Sequence, residues 1–157
     1  MNIITGQFND SYFPIMDGVG MTAHSYAFWL NEKYGKSMVV APNVKDYKNK
    51  VSYEVIRFKS VLLPGMNPYR VGLPRIDVEY KKKIKKVGFD LIHAHCPFIS
   101  GQAAQKLAKK LNIPFVTTFH TKYRDDFAKV FNNHYFVDFL VNMTLNLYNS
   151  ADMVWVP

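Results

Sequence analysis

Four consecutive positions, His120-Thr121-Lys122-Tyr123, carry an imidazole, a hydroxyl, an ammonium and a phenol. They follow Phe115-Val116-Thr117-Thr118-Phe119, an apolar and β-branched run behind Pro114 that reads as a buried strand. In an open parallel sheet, ligands bind in the crevice beyond the carboxyl ends of the strands. His120 therefore stands where such a fold does its chemistry. The plainer alternative is a histidine that caps the strand and bonds a nearby carbonyl, and only the rest of the chain decides between them.

Two other groups of residues have chemical potential. Gly18-Val19-Gly20-Met21-Thr22-Ala23 fits the G-x-G-x-x-G/A pattern. Glycines there let the backbone approach a phosphate, and the helix that follows offers N–H groups and positive potential. The context argues against a nicotinamide cofactor. Thr5 and Gly18 are too far apart for an immediate strand-to-helix turn, and the second strand ends Val39-Val40-Ala41-Pro42 without an acid for a ribose. His93-Ala94-His95-Cys96 holds three potential metal ligands, with His93 and His95 on one face of a strand by alternation. A structural zinc site takes four ligands at characteristic spacing, and no second cluster exists in the sequence. These are expected to be core or cleft-edge histidines, with no metal.

The elements that must position these groups follow from periodicity. Strands are expected at Asn2–Thr5, Ser37–Ala41, Tyr53–Phe58, Asp90–His95, Phe115–Phe119 and Met153–Val156. Ala23, Tyr26, Ala27 and Leu30 mark a first helix stopped by Gly35, and Ile76, Tyr80, Ile84 and Val87 a second, whose remaining surface is Lys81, Lys82, Lys83, Lys85 and Lys86. Ala104, Leu107, Ala108 and Leu111 mark a third, ended by Asn112 and Pro114. Asp125 or Asp126 is expected to cap one long helix with Phe136, Phe139, Leu140, Met143 and Leu147 on its buried face. Phe8 to Asp17 and Leu63 to Arg75 read as long irregular loops, which in compact domains are usually functional. Alternating strands and helices imply an α/β, doubly wound parallel sheet.

At 157 residues the chain is one domain, 1–157, long enough to bury a core without staples. A single cysteine, Cys96, rules out an internal disulfide and makes a reducing cytoplasm the expected compartment. No leader-like or membrane-spanning stretch is expected. The net charge of +8 favours an anionic partner. Its lysines concentrate on one helix without a recognition module, which sets nucleic acid aside. That run reads either as a solvated helix face or as a patch for anionic membrane.

Taken in order, Tyr12-Phe13-Pro14-Ile15-Met16-Asp17-Gly18-Val19-Gly20, Phe89-Asp90-Leu91-Ile92-His93-Ala94-His95 and Pro114-Phe115-Val116-Thr117-Thr118-Phe119-His120-Thr121 resemble a known series. They are similar to the N-terminal, acceptor-side domain of family 4 glycosyltransferases, retaining enzymes of the two-lobed GT-B fold. The resemblance implies a Rossmann-like lobe whose partner lobe, with the donor-binding acids, lies outside these residues. It implies a nucleotide-sugar donor whose diphosphate approaches Gly18 and Gly20. His120 would lie at the transferred sugar, and Asp17, His95 and Lys122 on the acceptor side. No cofactor or obligatory metal is implied, and the acceptor would be a lipid or glycan at the inner face of a membrane. An alternative is a non-catalytic binding lobe, or a subunit completed by a separate chain.

Overall fold

The computed structural model describes residues 3–62 and 67–156. Asn2, where the first strand is expected to begin, and residues 63–66 of the expected loop from Leu63 to Arg75 lie outside those residues. The central sheet has six parallel strands in the order β3-β2-β1-β6-β7-β8. They are β1 (Ile3–Phe8), β2 (Gly35–Pro42), β3 (Val55–Phe58), β6 (Leu91–Ala94), β7 (Phe115–Thr118) and β8 (Met153–Trp155). The expected α/β parallel architecture is present. A small antiparallel hairpin, β4 (Ser60–Leu62) with β5 (Arg70–Gly72), occupies part of what reads from sequence as irregular loop.

Helix α1 (Gly18–Lys33) covers one face of the sheet. It packs through the small residues Gly20, Ala23 and Ala27, and Val39, Ala41, Tyr12 and Tyr53 complete this layer. Helices α2 (Val78–Ile84), α3 (Ile99–Leu111) and α5 (His134–Asn149) contribute to the core on the other face, which is apolar throughout: Phe8, Met38, Val40, Ile56, Ile92 and Phe115 meet Tyr80, Ile84, Ala104, Ala108 and Leu147. Helix α3 lies close to the preceding loop because residue 101 is glycine. A Cβ there would stand 2.1 Å from the Cys96 carbonyl oxygen. Asn112 ends α3 in the left-handed conformation, φ 54°, as its place in the sequence suggests.

Several boundaries differ from expectation. β1 continues through Gly6 and Gln7 to Phe8, so the loop to α1 is only residues 9–17. Gly35 opens β2, and Tyr34 is the residue that ends α1. α2 is shorter than its apolar stripe, since Ile76 is 67% exposed and lies ahead of the Asp77 cap. The single long helix is two: α4 (Tyr123–Val130), with Asp125 and Asp126 inside its first turn, and α5, capped by Asn133. The buried face of α5 carries Val137, Thr144, Leu147 and Tyr148. Phe136 and Phe139 are turned outward and stack on each other.

Candidate active site

β1 has β2 on one side and β6 on the other, and the helices that follow β1 and β6 leave to opposite faces. The crevice between them is the switch point of this sheet, where ligands bind in open α/β folds. The loop after β1, the loop after β6 and the residues after β7 meet there.

The face of the sheet under α1 is polar where the other is apolar. Thr5 and Gln7 of β1, Ser37 of β2, His93 and His95 on and after β6, and Thr118 of β7 are all buried. The Thr5 hydroxyl donates to Ser37 Oγ at 2.7 Å, and Gln7 Nε2 lies 3.4 Å from both hydroxyls. Gln7 therefore turns Oε1 toward His95 Nε2, 3.0 Å away. An amide oxygen only accepts, so His95 carries its proton on Nε2 and leaves Nδ1 as an acceptor. That Nδ1 faces His120 Nε2 at 3.3 Å, so His120 donates from Nε2 and keeps a lone pair on Nδ1. His93 Nε2 bonds Thr118 Oγ1 at 2.7 Å. The rings of His93 and His95 lie 4.1 Å apart, on one strand face as alternation requires. Tyr26 of α1 and Trp155 of β8 pack edge-on against His93.

Burial decides the charge of this cluster. Desolvation holds His93 down to about 3, with the charge of His120 acting in the same direction. His95 is pushed well below the ordinary imidazole range by burial, then by His93 and His120. His120 is lowered by burial and partly restored by the Asp17 carboxylate. At neutral pH all three are neutral imidazoles, and Gln7, His95 and His120 form a hydrogen-bonded chain ending at the half-buried His120.

The 9–17 loop is fixed from below. The Tyr12 hydroxyl bonds that of Tyr53, which in turn bonds His24 Nδ1 on α1. Arg57 donates 2.7 Å bonds to the carbonyls of Phe13 and Pro42, with its guanidinium 5.3 Å from the Tyr12 ring centroid. Asn9 Oδ1 accepts from the Cys96 thiol at 2.8 Å, and Asn9 Nδ2 donates to the Ser11 carbonyl. Asp10 Oδ1 accepts the Ser100 N–H at 2.9 Å in the first turn of α3, so that turn is occupied by the protein's own carboxylate. Burial raises the Asp10 carboxyl to about 6, although the Ser100 bonds oppose the shift.

Asp17 is the N-cap of α1. Its Oδ1 accepts the Gly20 N–H at 2.7 Å and its Oδ2 accepts the Ser11 hydroxyl. The two glycines differ. A Cβ on Gly20 would lie 3.1 Å from Asp17 Oδ1, so its smallness serves the cap. A Cβ on Gly18 would meet nothing within 4 Å, so there is open space beside Gly18 even though the Asp17 carboxylate already takes the Gly20 N–H. Lys122 is exposed and precedes α4, whose first turn folds onto its carbonyl. Its side chain forms no ion pair among the described residues.

The structure thus joins His95 and His120 directly and sets Asp17 close enough to bias His120 electrostatically, while Lys122 stays at the periphery. Sequence reasoning overlooked Gln7, Thr5, Ser37, Asn9 and Asp10. The signal for three of them was the polar alternation Thr5-x-Gln7-x-Asn9, the counterpart on β1 of His93-x-His95. The arrangement suits a neutral ligand rich in hydroxyls at His120, with an anionic group at the start of α1.

Known proteins are similar to part of this sequence. An Alpha-monoglucosyldiacylglycerol synthase of Acholeplasma laidlawii is 28% identical over 120 residues, 76% of this chain and 30% of the relative. A GDP-mannose-dependent alpha-mannosyltransferase of Corynebacterium glutamicum is 25% identical over 116 residues, 71% of this chain and 28% of the relative. An Alpha-monoglucosyldiacylglycerol synthase of Streptococcus pneumoniae is 26% identical over 120 residues, 76% of this chain and 27% of the relative. The matched region is under a third of the length of each of these relatives. The model of Glycosyltransferase Family 4 matches residues 16–157, and the chain belongs to that family.

Proposed function

We propose that this chain is the acceptor-side lobe of a retaining glycosyltransferase that moves a sugar from a nucleotide-sugar donor to a membrane lipid. The observation that carries the reading is the Gln7–His95–His120 chain at the switch point, together with the open space beside Gly18. Family membership supports the reaction class. Two of the relatives named above are glucosyldiacylglycerol synthases, which favours a lipid hydroxyl over a glycan as acceptor.

In the reaction, the bond between the anomeric carbon and the donor phosphate breaks and a bond from the acceptor oxygen forms on the same face. The acceptor proton leaves with the departing diphosphate. The transition state has oxocarbenium character, so negative charge grows on the leaving group. The positive end of α1 around Gly18 is suited to stabilise it. His120, neutral and with Nδ1 free, accepts a hydrogen bond from a sugar hydroxyl and fixes the ring. His95 and Gln7 hold that tautomer. Asp17 keeps the cap of α1 in place, and Lys122 lies toward the acceptor. The donor base and ribose are held by a second lobe.

Lys81 and Lys85, with Lys86 beyond α2, would draw the lobe to the inner face of an anionic membrane. Lys82 and Lys83 contribute less, being engaged by Glu79 and Glu54. The test is a product analysis by mass spectrometry with uridine- and guanosine-diphosphate sugars and a diacylglycerol acceptor. A glycolipid is expected from the lobe joined to its donor-binding partner. Donor binding without any transfer would instead favour a non-catalytic lobe.

A further inference from the structure

On the side of the sheet away from the histidines, α2, β5 and α3 do not close on one another. Between them runs a groove of about 840 Å³, within the range of roughly 300–1,000 Å³ typical of small-molecule sites. Its floor is apolar: Ile84 from α2, Phe98, Ala103 and Leu107 on and before α3, and Met143 from α5. The apolar surface continues outward along α5, because Phe139 lies one turn before Met143 and is 61% exposed.

The walls carry charge of one sign. Arg75, Lys81, Lys85, Lys106 and Lys110 line the groove, and none of its lining residues is acidic. Among the described residues none of these cations forms an ion pair, although the neighbouring Lys82 and Lys83 both do. Long basic side chains can lay their methylenes along such a floor and keep their charged ends at its lip.

We propose that this groove binds an acyl chain of an anionic membrane lipid, with the lipid's headgroup held by the basic rim. Free phosphate would answer the cations and leave the floor wet. A zwitterionic lipid would cover the floor and leave the rim uncompensated. Only a hydrocarbon chain bearing a net negative head satisfies both. The site is separate from the histidine crevice, since the two lie on opposite faces of the sheet. It would anchor the lobe whichever hydroxyl the crevice presents for transfer.

The test is calorimetric titration of the 157-residue chain with dihexanoyl phosphatidylglycerol below its micelle concentration. Dihexanoyl phosphatidylcholine and glycerol phosphate serve as partial ligands. Saturable binding of the phosphatidylglycerol is expected, with both partial ligands about tenfold weaker or more. Ala103→Trp, which fills the groove from α3, should cut that binding about tenfold at an unchanged unfolding temperature. Lys85→Gln with Lys110→Gln should reduce it to the phosphatidylcholine level. His120→Ala should bind as the wild type does, so the result stands apart from the success or failure of sugar transfer. Absence of saturable binding, undiminished binding by a folded Ala103→Trp protein, or glycerol phosphate binding as tightly as the lipid would each overturn the proposal.

Discussion

His120 takes its character from His95, which it touches, and from Gln7, which it does not. Gln7 accepts from His95, His95 thereby accepts from His120, and the last imidazole is left with an exposed lone pair. Nitrogen-15 spectra of the histidine rings should show Nε2–H tautomers at both His95 and His120, and Gln7→Leu should mix the tautomers of both. A wild-type Nδ1–H signal at His120 would contradict the chain. Burial of these rings also couples them to stability. His93 binds its proton near 3 when folded and near 6.5 when unfolded, so the unfolded state holds the extra proton between those values. The stabilisation is complete above about 6.5 and is lost as the pH falls toward 3, and His95 adds in the same direction. Asp10 acts oppositely, its folded value of about 6 lying above the ordinary 3.8. Two histidines outweigh one carboxyl, so unfolding free energy should rise between about pH 4 and 6.5, by about 1.4 kcal/mol per pH unit for each net proton. Urea titrations across that range check it, and a flat or falling profile would show that the rings are not held neutral.

At the scale of elements, the crevice depends on how closely α3 approaches the loop after β6. A methyl group on residue 101 would collide with the backbone carbonyl of Cys96. Backbone cannot yield as a side-chain tip does, so Gly101→Ala should destabilise by about 1–3 kcal/mol. A denaturant midpoint equal to that of the wild type would show that α3 can shift without cost. The same scale shows what was legible beforehand. β7 and β6 were plain because prolines, β-branching and alternation agree there. β1 was cut short because Gly6 and Gln7 look like breakers. In the fold Gly6 makes room for Phe89, whose Cε1 would lie 2.7 Å from an added Cβ, and Gln7 is satisfied by His95, a residue 88 positions away. The β4–β5 hairpin was hidden by its short strands and its prolines. The expected face of α5 holds at Leu147, which is buried, and at Leu140 and Met143, which are half-buried, but fails at Phe136 and Phe139, apolar yet exposed, where burial is the usual guide. His120 and His95 were legible from type and position. Their hydrogen-bonded order was not, since it depends on strand register across β1, β6 and β7.

For the whole molecule, the histidine crevice and the basic groove open on opposite faces of the sheet, and one edge strand is exposed as well. Tyr26 and Trp155 border the histidines, and Met153, Val154 and Trp155 of the edge strand β8 are each more than a third exposed. Glycosyl transfer requires acceptor and anomeric carbon in near-attack geometry, an effect worth about 7–11 kcal/mol when complete. A single lobe supplies one wall of such a site, so the 157 residues alone should yield no product and bind nucleotide sugars weakly or not at all. Clear transfer by the purified chain would refute the two-lobe account. The most direct measurement is the turnover of His120→Ala against the wild type, in a protein that carries this lobe with its donor-binding lobe. Loss of one well-placed transition-state hydrogen bond predicts a fall of about 10²–10³ in kcat with an unchanged unfolding temperature, whereas near-normal turnover would reduce His120 to a structural cap at the end of β7.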